Sequence, residues 1–93
     1  MKVSELGPSV DCEARDGGWH CSVVVDGNEH SVQVDRATLD DLAPGRSPDD
    51  LVRASFTFLL ERESPESIMR SFELPIIARF FADYPDEMRR RLR

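Results

Sequence analysis

With 93 residues, 40% of them hydrophobic and 32% charged, the chain has the length of a single domain, and apolar runs such as Phe56–Leu60 and Ile76–Phe81 exclude a wholly disordered state. The formal charge of −6 is lopsided: residues 1–50 carry eleven acids against four bases, and residues 51–93 carry seven against eight. An acidic front half repels phosphate and sets nucleic acid aside as a general partner, no apolar stretch is long enough for a membrane span, and Met1–Val10 lacks the apolar segment of a secretory leader, so the expected location is the reducing cytoplasm.

Residues 1–9 read as a loosely ordered segment of a single domain covering 1–93. Residues 10–34 then read as a three-stranded antiparallel meander. The dipeptides Asp16-Gly17 and Asp26-Gly27 are favoured in the mirror-image two-residue hairpin turn, whose central residues both need positive φ. Two-residue turns at both places fix a register, because a slip of one residue would move every side chain to the other face. They pair Ala14 with Trp19, Cys12 with Cys21 and Val10 with Val23, then Trp19 with Val34, Cys21 with Val32 and Val23 with His30. One face becomes apolar. The other carries Asp11, Glu13, His20, Ser22, Glu29, Ser31 and Gln33.

Asp35 suits the N-cap of a short helix over Arg36–Ala43, stopped by Pro44-Gly45. Ser47-Pro48-Asp49-Asp50 is a stronger start, with a serine cap, proline in the first turn and two acids at the positive end of the helix dipole. That helix is expected to reach about Arg62. Its apolar residues exceed a single stripe, so it should lie on the sheet and be covered again from the other side. Beyond it, Ser64-Pro65, Leu74-Pro75 and Tyr84-Pro85 open short helices, the first running to about Ser71, with sharp corners between them. The fold class is therefore α+β: a meander packed on a central helix and short proline-initiated helices at the C-terminal end.

No grouping of residues carries evident chemistry. Cys12 and Cys21 face each other, but a reducing compartment and an apolar setting make them buried free thiols. His30 shares their face without a fourth ligand, so no metal site is assigned. No nucleophile has a base and an oxyanion donor beside it, and Gly17-Gly18 serves a hairpin, so no catalytic or cofactor residue is named. Interface candidates remain. Trp19 stands at the start of the middle strand, Phe80 and Phe81 point different ways on one helix so that one of them is left for a partner, and Tyr84 lies nearby. Arg89, Arg90 and Arg91 form the basic end of the last helix, suited to its negative dipole end or to an acidic partner.

Two resemblances add to this. The residues HSVQVDRATLDDLAPGRSPDDLVRASFTFLLERE, from His30 to Glu63, are similar to the ribbon-helix-helix regulators: a strand, a short helix, a turn and a helix opened by serine and continuing Leu51-Val52-Arg53. The resemblance implies a DNA-binding dimer or antitoxin whose outward strand residues, here Ser31 and Gln33, enter the major groove. The chain departs from that pattern in its short first helix, its acidic neighbourhood and a strand already paired within its own meander. From Ser47 to Leu92, SPDDLVRASFTFLLERESPESI followed by LPIIARFFADYP resembles a group of small uncharacterised prokaryotic proteins, a resemblance that implies no activity. The expected function is a non-enzymatic interaction or adaptor module whose partner is another protein or a second copy of itself, with no small-molecule substrate, cofactor or membrane. An antitoxin or DNA regulator and a small thiol redox protein are the alternatives.

Overall fold

Alternation along the meander puts its apolar side chains on one face. The structure, a computed structural model, describes residues 7–93, so most of the segment expected to be loosely ordered lies outside the described residues. Of its remainder, Pro8 is buried and Ser9 opens the first strand. Strands β1 (Ser9–Arg15), β2 (Gly18–Val25) and β3 (Asn28–Asp35) form the antiparallel meander with every anticipated pair in place, Cys12 opposite Cys21 and Cys21 opposite Val32 among them.

The two reversals differ from each other. Asp26 and Gly27 both adopt positive φ, 50° and 78°, as the mirror-image turn requires. At the first reversal only Gly17 does so, at 77°, and Asp16 keeps a negative φ, which corrects the expectation of two identical turns. Beside it, the end of β3 passes so close that a Cβ on Gly18 would stand 2.1 Å from the Val34 carbonyl oxygen. The Arg36 amide donates to the Gly17 carbonyl at 2.9 Å and ties the turn to the start of the next helix.

Helix α1 (Arg36–Leu42) starts where Asp35 Oδ1 accepts from the Thr38 amide at 2.8 Å. Helix α2 (Pro48–Leu60) starts where Ser47 Oγ accepts from the Asp50 amide at 3.2 Å, and it stops two residues short of the expected end. The next segment is a second correction. A helix was expected through about Ser71, but only the 3-10 turn Pro65–Ser67 forms, and the chain then extends as β4 (Ser71–Glu73), parallel to β3. The sheet is therefore mixed, in the order β1-β2-β3-β4. The cause is tertiary: burying Ile68 and Phe72 draws this segment onto the sheet, where the Ser31 amide donates to the Arg70 carbonyl at 2.6 Å. A 3-10 turn (Leu74–Ile76), helix α3 (Ile77–Phe80) and helix α4 (Tyr84–Leu92) complete the chain.

The core lies between the apolar sheet face and α2 and continues between α2 and the C-terminal elements. Val23, Val32, Val34, Leu51, Val52, Phe56 and Phe58 are buried, and α2 is covered from both sides as its breadth of apolar residues required. Phe58 packs edge-on against Tyr84 at 5.4 Å and Phe81 at 5.8 Å, with the Arg62 guanidinium 3.7 Å from its ring centre.

Candidate functional site

The short elements after α2 meet at three corners and leave a hollow between them. Its lining comes from Leu59 at the end of α2, Ile68 and Met69 after the first 3-10 turn, Phe72 on β4, Ile76 at the end of the second 3-10 turn and Ile77 at the start of α3. The hollow holds about 300 Å³ and is predominantly apolar. Phe80 forms one wall and is 66% exposed; Met69, at 42%, forms another. A shallower continuation past Phe72 and Ile76 brings in Glu73 and Arg79, and Glu63 stands at the mouth of the main hollow. Two large apolar side chains are thus exposed beside a concave apolar surface.

The other interface candidates are placed differently. Phe81 is half-buried against Phe58 and Arg62, so of the two neighbouring phenylalanines Phe80 is the outward one. Tyr84 is wholly buried: its hydroxyl lies 2.7 Å from Ser55 Oγ, which in turn donates to the Leu51 carbonyl at 2.7 Å, leaving the Tyr84 hydroxyl as the donor of the pair. Burial drives the Tyr84 phenol far above its ordinary value. Trp19 is half-buried under the Arg36 guanidinium, 5.0 Å from its ring centre.

The arginines of α4 are engaged within the molecule. Arg89 pairs with Asp41 and Asp86 at 3.1 Å each, Arg90 with Glu87 at 2.6 Å, and Arg91 with Glu61 at 2.8 Å and Glu87 at 3.1 Å. The Arg91 hydrogen bond is the main reason the Glu61 carboxyl sits below its ordinary value; for Glu87 it is the Arg90 bond, followed by Arg91. By contrast, Arg79 beside the groove makes no ion pair among the described residues, and neither do Glu63 and Glu73. Sequence alone pointed at the run of three arginines because clustering is visible in one dimension, whereas their partners on α1 and α2 are not.

Cys12 and Cys21 are joined in a disulfide, their Cα atoms 3.9 Å apart, which corrects the expectation of two buried free thiols. Direct opposition across two strands puts the sulfurs within bonding reach. Burial is also uneven. Cys21 is sealed in the core, but Cys12 is only partly buried because β1 is the outer strand.

On the open sheet face His20 Nε2 contacts Ser31 Oγ, a diagonal pair across β2 and β3 that the register implied but the sequence reading did not connect. Glu13, opposite His20, is held by Arg15 at 2.9 Å and not by the imidazole. His30 is buried against Phe56, ring centres 5.3 Å apart, and its Nδ1 donates to the Met69 carbonyl at 2.8 Å while Nε2 has no hydrogen-bond partner among the described residues. Among the described residues no three histidine, cysteine or acidic side chains converge as metal ligands, and no helix is long and apolar enough to cross a membrane. β3 has β2 on one side and β4 on the other, so both edges of the strand carrying Ser31 and Gln33 are taken. No protein-family model, curated protein or solved structure matches this chain.

Proposed function

We propose that the chain is a non-enzymatic protein-interaction module whose docking surface is the apolar groove beside Phe80. The observation that carries this reading is the pairing of a 66% exposed phenylalanine with an apolar hollow of about 300 Å³ at its foot. Nothing in the packing of the core calls for either, since Phe81 already fills the adjacent position against Phe58. The test is a photoreactive phenylalanine analogue in place of Phe80, with a control in place of Val24, which is 42% exposed on the open sheet face. Illumination in cells is expected to give a discrete protein adduct from position 80 that Ile76→Asp abolishes. Equal adducts from both positions, or none, would end the proposal.

A second reading is favoured by the disulfide itself: a thiol–disulfide couple acting with a cellular dithiol. One thiolate of the dithiol attacks the sulfur of the less buried Cys12, the bond to Cys21 breaks, and Cys21 leaves as a thiolate that takes up a proton. The second thiol of the dithiol then displaces Cys12, so two electrons pass to the protein and the dithiol becomes a disulfide. A cytoplasmic location meets the same measurement. Rapid acid quenching of cells followed by alkylation is expected to find Cys12 and Cys21 reversibly shuttling between both forms under oxidant and reductant. A pair locked in one form under all conditions contradicts this reading.

A further inference from the structure

We infer that the occupant of the groove is a second copy of this chain, docked about a two-fold axis so that each copy's Phe80 enters the other's hollow. This rests on the reading of the groove as a docking surface and names its partner. An isologous interface requires one patch that complements itself, a projection and a recess lying side by side. The patch has both: Phe80 projects, and the recess opens at its base between Met69, Ile76 and Ile77. The sizes agree, because a dry apolar cavity of about 150 Å³ already holds a benzene ring.

Charge points the same way. The rim carries Glu63 and Glu73 together with Arg79, acids and a base without ion pairs among the described residues. A partner of a single sign would meet repulsion from part of this rim. A second copy turned through a two-fold axis brings its own Arg79 toward the acids and its acids toward Arg79. The wider distribution suits this approach too. Residues 51–93, which supply the whole groove, are close to neutral at +1, while the −7 of residues 1–50 lies elsewhere in the chain and keeps other encounters between copies apart.

The strip is small against an ordinary interface of about 800 Å² per partner, so association is expected in the micromolar range. Sedimentation equilibrium of the full chain from about 1 to about 300 µM is expected to show the mass rising from 10.6 kDa toward twice that value. Phe80→Asp is expected to raise the dissociation constant at least about tenfold with an unchanged melting curve, because Phe80 is outside the core. Arg79→Glu is expected to weaken association, and adding Glu63→Arg to restore it. A wild-type chain that stays at 10.6 kDa throughout, or a Phe80→Asp chain that dimerises like wild type, overturns the inference. The photoreactive variant at position 80 separates the two proposals. An adduct of two copies supports both, an adduct with a different protein overturns only the self-docking, and no adduct overturns both.

Discussion

Gly18 is the residue on which the corner between the first hairpin and α1 turns. Its Cβ position is occupied by the backbone of β3, with the Val34 carbonyl oxygen at 2.1 Å and Asp35 Cα at 2.7 Å, and backbone does not yield as the tip of a side chain does. Gly18→Ala is therefore expected to cost about 3 kcal/mol in urea unfolding, at the upper end for an overpacked core position. Tyr84 offers a different measurement, since the chain has one tyrosine. Its buried phenol donates to Ser55, and Tyr84→Phe is expected to cost about 1 kcal/mol. Because burial raises the phenol's folded value above the unfolded value of about 10, the folded state retains a proton that the unfolded state releases. This contribution is fully present below about pH 10 and is lost above it, with a slope approaching about 1.4 kcal/mol per pH unit. Tyrosinate absorbance should thus appear only as ellipticity is lost, and Tyr84→Phe should flatten the alkaline slope. Ionisation of Tyr84 in the folded chain would contradict its burial.

At the scale of elements, the two helix starts and the hairpin bond carry separable contributions. Ser47→Ala removes the acceptor for the Asp50 amide and Asp35→Ala the acceptor for Thr38, each expected to lower stability by about 1 kcal/mol. The Thr38 bonds also hold the Asp35 carboxyl below its ordinary value, so that cap is at full strength above the unfolded carboxylate range near 4 and weakens as pH falls through the lower folded value. The disulfide closes a hairpin of sequence separation 9, and replacing both cysteines with serine is expected to lower stability by about 2.5 kcal/mol while leaving the sheet in place. Thermal melts with and without a dithiol check it; identical curves would mean the bond does not constrain the unfolded chain. The meander and both capped helices were open to reading because their signals are local: paired turn residues, alternation and a serine ahead of proline. β4 was not, because three residues are too few for alternation to show, and what extends them is Phe72 settling against Phe56, 6.1 Å between ring centres.

For the whole molecule the same division governs the site. That one of Phe80 and Phe81 must face outward followed from helical geometry alone, but which one depended on Phe58 and Arg62 across the core. The groove could not be read at all, since Leu59, Ile68, Phe72 and Ile76 are gathered from separate stretches of chain around the corners at Pro65 and Pro75. The arginine run drew notice in one dimension and turned out to bind α4 to α1 and α2. One consequence follows from how the far wall of the groove is attached. Two successive carbonyls, those of Met69 and Arg70, are gripped by the His30 ring and the Ser31 amide, and beyond them β4 adds only three ladder positions. That is a short seam joining a segment without long helices to a meander braced by a covalent crosslink. Amide hydrogens of residues 68–73 are therefore expected to exchange well before those of β2, through openings that leave the meander intact. Widening that seam with His30→Ala should speed them further, and occupation of the groove should slow them while β2 stays unchanged.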